Sequence, residues 1–205
     1  MTPLPSLSVD CHAEYRSVTG IAEECGDIGF AEWSGKYCFL ALFDGLGHGP
    51  EAHHAALEAR KFLGAVPDVA ENGPPLADLI AGIHKRLLGT RGVVAGLCRI
   101  DLATGLLRYV GIGDISAKIF GRGTRRLISR DGIVGYSSIF PKEGEDRLEP
   151  GEIMVLTSDG IKDHLDPEKH PDLLDGTSRD IAIRLISSFR KDQDDASCIV
   201  MRYRR

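Results

Sequence analysis

The chain has 205 residues, 42% of them hydrophobic and 27% charged, a balance that suits one domain with a sizeable core and argues against disorder. Its 25 Lys and Arg against 30 Asp and Glu leave a net charge of -5, which argues against nucleic acid as the main partner, because binding a phosphate backbone needs excess cations. No run approaches the ~20 apolar residues needed to span a bilayer, and the opening MTPLPSLSVD lacks the basic-then-apolar order of a signal peptide.

In chain order, Gly26-Asp27 opens an early strand. Tyr37 to Phe43 is a continuous apolar run, as expected for a strand covered on both faces. From Pro50 onward, Ala52, Ala55, Ala56, Ala59, Phe62 and Leu63 recur at helical spacing, and Leu76, Leu79, Ile80, Ile83 and Leu87 do so again after a Pro-rich loop from Pro67 to Pro75. Val93 to Ile100 and Leu106 to Val110 flank Asp101 to Gly105, which reads as a hairpin. Ile115 to Phe120 and Arg125 to Ser129 continue this meander across Gly121 to Gly123. Ile153 to Thr157 is a strand, and a helix-like segment follows it. Ala182, Leu185, Ile186 and Phe189 mark a last helix, with Thr177 and Asp180 spaced as a capping box. Ala196 to Tyr203 is the final strand, so the order of elements is α+β.

The 5 cysteines are odd in number and form no Cys-x-x-Cys pair, as expected of free thiols in a reducing cytoplasm. Cys38, Cys98 and Cys198 lie in apolar runs and read as buried small hydrophobes. His53-His54 reads as a solvated helix face. Arg122, Arg125, Arg126 and Arg130 form a basic cluster that suits either an acidic partner or a charged sheet edge, and Arg202 to Arg205 reads as a solvated end.

Several aspartates fall at strand ends. Phe39 to Asp44 is an apolar strand closed by an Asp and a glycine-rich turn, Asp44-Gly-Leu-Gly-His-Gly49. Ile153 to Asp159 repeats that arrangement before Gly160, and Asp194-Asp195 stands just before the last strand. A strand end holds a carboxylate rigidly, and clustered carboxylates without matching cations call for a hard divalent metal. Any single Asp-Gly pair also suits an ordinary turn.

Taken together, Gly26-Asp27, Asp44 to Gly49, Ser158-Asp-Gly160 and Asp194-Asp-Ala-Ser197 resemble the ordered motifs of the metal-dependent serine/threonine phosphatases of the PPM, or type 2C, class. Gly113-Asp114-Ile-Ser-Ala117 resembles a further strand of that class. The likeness is to the bacterial SpoIIE/RsbU/RsbX branch, and the absence of a sensor resembles the RsbX type that acts on stressosome proteins. The resemblance implies one catalytic domain over residues 1–205. Its fold would be a four-layer αββα sandwich, two antiparallel sheets flanked by helix pairs, with a metal site at one end. It implies two Mn²⁺ or Mg²⁺ ions, with Asp44 bridging them, Asp27 and the Gly45 carbonyl serving the second, and Asp159 and Asp194 holding the first. Asp44, Asp159 and Asp194 would be the catalytic set. Asp114 and Asp163 match positions that serve a third, weaker ion. Asp195 is the rival of Asp194. A metal-activated water would attack phosphorus in line, with no covalent phosphoenzyme.

Two departures from eukaryotic members stand out. Leu46 occupies the place of their candidate acid, with His48 two residues further on, either a proton donor or a turn residue. No Arg lies in Val18 to Glu24, where they bind phosphate, and Arg16 is a distant substitute. The bacterial branch lacks both features as well. The implied partners are phosphorylated stressosome or STAS-domain proteins, with no nucleic acid and no membrane, and the chain is expected to be a cytoplasmic monomer. The alternative is a metal-free pseudophosphatase that binds a phosphoprotein. A haloacid-dehalogenase site would need an Asp where Leu46 stands, no Gly-Lys-Ser/Thr of a P-loop occurs, and Gly111-Ile-Gly113 lacks the third glycine and the helix of a dinucleotide fingerprint.

Overall fold

The computed structural model describes residues 9–136 and 138–204. Most of the N-terminal segment judged against a signal peptide therefore lies outside the described residues. Among the described residues, ten strands form two five-stranded, fully antiparallel sheets. One sheet holds β2 (Asp27–Ser34), β3 (Tyr37–Gly45), β4 (Val93–Asp101), β5 (Leu106–Ile112) and β8 (Gly144–Arg147), in that order. The other runs β1 (Asp10–Arg16), β10 (Ala196–Arg202), β9 (Ile153–Thr157), β6 (Ser116–Phe120) and β7 (Thr124–Leu127).

The continuous apolar runs are explained by burial on both faces. On β3, Phe39, Ala41 and Phe43 pack under helices α1 (Pro50–Gly64) and α2 (Leu76–Arg86), while Cys38, Leu40 and Leu42 face the opposite sheet. On β10, Ile199 and Met201 enter the core between the sheets, whereas Ala196, Cys198 and Val200 pack against α3 (Ser178–Phe189). This period of two produces three stacked apolar clusters, one for each junction in a helix–sheet–sheet–helix stack. Each fully buried Leu, Ile or Phe adds roughly 1.5–3 kcal/mol. The stack is the expected αββα sandwich, except that the outer face of the second sheet carries one helix and an irregular stretch through Leu165 and Leu173 instead of a helix pair.

Local signals acted as expected at several points. Thr177 Oγ1 accepts from the Asp180 N–H, and the Asp180 carboxylate accepts from the Thr177 N–H, which completes the capping box of α3. The Asp101 carboxylate accepts from the Ala103 N–H at 2.9 Å in the β4–β5 hairpin.

Other expectations need correction. No helix follows Gly160: the chain makes an isolated bridge at Ile161 and continues irregularly. The meander does not continue from β5 into β6, because Gly113 and Asp114 carry the chain from one sheet to the other. His53 is half-buried and hydrogen-bonds the Cys25 carbonyl through Nδ1 at 2.8 Å, although His54 is exposed. The C-terminal segment is anchored: Arg202 donates to the Leu174 and Gly176 carbonyls, Tyr203 is buried and donates to the Leu102 carbonyl, and Arg204 pairs with Asp10 at 2.8 Å. β1 and β8 lie at sheet edges and carry no apolar run: Asp10 to Arg16 mixes polar and apolar residues, and Gly144 to Arg147 has no apolar side chain.

Candidate metal and phosphate site

The candidate site lies where ends of the two sheets meet. Asp44 sits near the end of β3 and Asp27 at the start of β2, directly opposite it in the ladder. Asp159 follows β9, and Asp194 precedes β10, the neighbouring strand. A cavity of about 590 Å³ is lined by Asp44, Asp114, Asp131, Asp159 and Asp194, with no Lys or Arg lining it among the described residues.

Glycines and Ser158 explain why these motifs have their composition. A Cβ on Gly45 would strike the Ala52 carbonyl of α1, and a Cβ on Gly160 would strike the Asp195 carbonyl oxygen. Both Asp-Gly pairs therefore set close backbone approaches as well as turns. Ser158 ties the sheets together: its Oγ donates to Asp27 Oδ2 at 2.6 Å and accepts from the Ser197 N–H at 3.0 Å.

Asp194 and Asp195 separate by environment. Asp195 is buried, and its carboxylate accepts from the Val18 N–H at 2.7 Å and the Gly26 N–H at 2.6 Å. It thereby holds the loop that delivers Asp27. The Gly26 carbonyl in turn accepts from the Gly45 N–H at 3.0 Å. Asp194 is half-exposed and lines the cavity.

The carboxylates carry the electrostatic signature of a crowded acidic site. Burial pushes the Asp44 pKa up, and the negative charges of Asp27, Asp159, Asp114 and Asp194 push it further. Burial raises Asp27 as well, partly offset by the Ser158 hydrogen bond. Asp159 is raised by burial and then by Asp194 and Asp114, with Lys191 acting the other way. Oxygen donors of one sign, with no cation among them, fit a hard divalent ion. As placed, no group of three or more His, Cys, Asp or Glu among the described residues is drawn tightly enough to hold an ion. The carboxylates ring a cavity and do not form a closed cage.

Asp163 stands apart from this group. It lines a second cavity of about 640 Å³, which shares Gly113, Asp114 and Asp159 with the first and adds Arg126 and Lys191. Its carboxylate pairs with Lys118 at 2.9 Å and with Arg126 at 2.9 Å, and these hydrogen bonds lower its pKa. Asp131 was not singled out in the sequence. It belongs to one more Asp-Gly pair, outside any apolar strand, and reaches the cavity because Arg130 bridges to Ile112 and Val134 to Val93. His48 is exposed in the turn after β3, and Arg16 is exposed at the end of β1. Of the basic cluster, Arg125 forms two hydrogen bonds with Glu152, at 2.7 and 2.9 Å. All 5 cysteines are free; burial raises the thiol pKa of Cys25 to about 12 and that of Cys98 well above the usual range, which argues against a thiolate nucleophile.

Comparison with known proteins agrees with this architecture. The SpoIIE family model, Stage II sporulation protein E, matches residues 34–204. No curated protein matches the chain in sequence. A chain solved under the heading "The bacterial stressosome: a modular system that has been adapted to control secondary messenger signaling" is 29% identical, with a TM-score of 0.84 over 95% of this chain and 100% of that one. RsbX in complex with magnesium is 17% identical, with a TM-score of 0.81 over 97% of each chain. The PP2C phosphatase domain of SpoIIE from Bacillus subtilis, solved with a fragment of its regulatory domain, is 22% identical, with a TM-score of 0.79 over 95% of this chain and 63% of that one. The last two likenesses speak for the fold. The chain belongs to the SpoIIE family and has the PPM-type phosphatase fold of its SpoIIE/RsbU/RsbX branch.

Proposed function

We propose that the chain is a Mn²⁺- or Mg²⁺-dependent phosphoserine/phosphothreonine protein phosphatase using two ions. The observation that carries this reading is the cavity with five aspartates and no cation among its lining residues. Bound ions of this kind lower the pKa of a water and neutralise charge on phosphoryl oxygens.

The residues of the chain divide the remaining work. Asp44, Asp159 and Asp194 face the cavity and would hold the ions, with Asp114 and Asp131 at the rim. The Gly45 carbonyl and Asp27 stand behind Asp44, and Ser158 fixes the Asp27 carboxylate. Asp195, whose carboxylate is already taken by the Val18 and Gly26 N–H groups, would position the loop that carries Asp27. Leu46, Val94 and Ile133 give the cavity an apolar part that limits water around a phosphorylated side chain.

The proposed substrates are phosphorylated stressosome or STAS-domain proteins in a cytoplasmic partner-switching pathway. Support comes from the likeness to the stressosome chain and from the free thiols. Among the described residues no helix is long and apolar enough to cross a membrane. The test is phosphate release from a phosphoserine STAS-domain protein with Mn²⁺ and with chelator. Release is expected only with the metal. Release in chelator, or full activity of Asp44→Asn, would overturn the two-ion reading.

A further inference from the structure

Asp163 is the fourth residue after Asp159, in the irregular stretch that crosses the outer face of β6. Lys118 lies on that face of β6 and is buried, with its side chain 6% exposed. Its Nζ reaches Asp163 Oδ1 at 2.9 Å and the Asp163 main-chain carbonyl at 2.5 Å. From β7, the neighbouring strand, Arg126 Nη2 donates to both carboxylate oxygens, at 3.1 and 2.9 Å. Both oxygens of Asp163 are thus already paired with cations of the chain.

We infer that Asp163 is not an ion ligand in this protein but the anchor of a Lys118–Asp163–Arg126 triad that takes the place of a third cation beside the phosphatase site. The inference rests on the proposed phosphatase reading and refines its metal count.

The two arms of the triad differ in weight. Arg126 is 57% exposed, and its pair with Asp163 is of the weak, screened surface kind. Lys118 decides the matter. A buried ammonium stripped of its carboxylate is costly, and among the described residues the hydrogen-bond and ion-pair partners of its Nζ both belong to Asp163. A divalent ion on Asp163 would compete for the same oxygen and would sit within a few ångströms of that ammonium, where like charges repel. A neutral residue at position 118 would remove the conflict, so a lysine there determines the outcome. The triad also fixes positive charge along the second cavity, which Arg126 and Lys191 both line.

Crystals soaked in Mn²⁺ and measured at the manganese edge test this directly. No anomalous peak is expected within about 2.5 Å of the Asp163 carboxylate; a peak there overturns the inference. Counting bound Mn²⁺ in solution gives a second readout. Asp163→Asn is expected to hold as many ions as wild type and to melt roughly 5–10 °C lower. Loss of one ion in that variant overturns the inference. If Asp163→Asn does not fold, Lys118→Met with Asp163→Asn removes both charges together and should keep the wild-type ion count; a count lower by one again overturns the inference. A wild-type chain that binds no Mn²⁺ at all would sink the two-ion reading while leaving Asp163 uncoordinated, as inferred.

Discussion

Asp27 and Asp44 stand directly opposite one another across the β2–β3 ladder, so two carboxylates occupy one cross-strand pair at the end of a sheet. Like charges in that position destabilise a sheet. Substituting Asp44→Asn keeps the shape and removes a carboxyl whose ionisation is disfavoured by burial and by Asp27. Phosphate release should fall by at least about 10²–10³-fold, the scale of losing one preorganised electrostatic partner. In chelator the same variant should melt higher than wild type. Thermal melts with and without Mn²⁺ check this, and a lower melting point in chelator would contradict it.

The same crowding makes the cation-free protein pH-dependent. Asp27, Asp44 and Asp159 all have raised native pKa values, by burial first. In the unfolded chain an Asp titrates near ~3.9. Above that value the native state binds more protons than the unfolded state, so stability falls as pH rises through the raised native values. In chelator, the melting temperature at about pH 5.5 should exceed that at about pH 8, and Asp44→Asn should narrow the gap. The carboxylates with lowered pKa values, such as Asp163 and Glu152, are ionised throughout this interval and do not change the sign. A melting temperature that climbs between the two conditions would refute the assignment.

Adjacent aspartates should respond oppositely. Asp195→Ala leaves the Val18 and Gly26 N–H groups without their acceptor and should cost roughly 3 kcal/mol. Asp194→Asn should change stability by about 0.5 kcal/mol or less while weakening Mn²⁺ binding. Urea denaturation paired with Mn²⁺ titration separates the two effects. Equal losses of stability would erase the distinction.

Gly160→Ala tests the close approach behind the Ser-Asp-Gly turn. The added methyl would meet the Asp195 carbonyl oxygen, which is backbone and cannot swing aside. Strain of roughly 1–3 kcal/mol is expected, the usual range for overpacking. Since both flanking aspartates must shift, activity should fall with stability. A variant as stable and as active as wild type would show that the turn has slack.

Arg125 and Arg122 divide the basic cluster by role. Arg125→Ala leaves the buried Glu152 without its bidentate partner and should destabilise by roughly 3 kcal/mol. Arg122, exposed in the β6–β7 turn, should tolerate alanine within about 0.5 kcal/mol. Denaturation midpoints compare them.

The sequence by itself determined the strands that are buried on both faces, from Tyr37 onward, the three helices and the capping box at Thr177, because apolar periodicity and capping are local properties. It also determined that aspartates end strands beside glycines. Only the tertiary structure decided which aspartates meet. The switch of sheets at Asp114 broke the apparent meander. The bridges at Val93 and Ile112 brought in Asp131, which no local pattern marked. Asp194 and Asp195 are chemically identical neighbours, and their separation required the two backbone N–H groups that claim Asp195 from 169 and 177 residues away. Asp163 fits its motif spacing, yet the lysine that holds it lies on another strand. A local pattern fixes where a carboxylate leaves the backbone, whereas its partner is set by packing between distant segments, and the partner decides whether it can bind an ion.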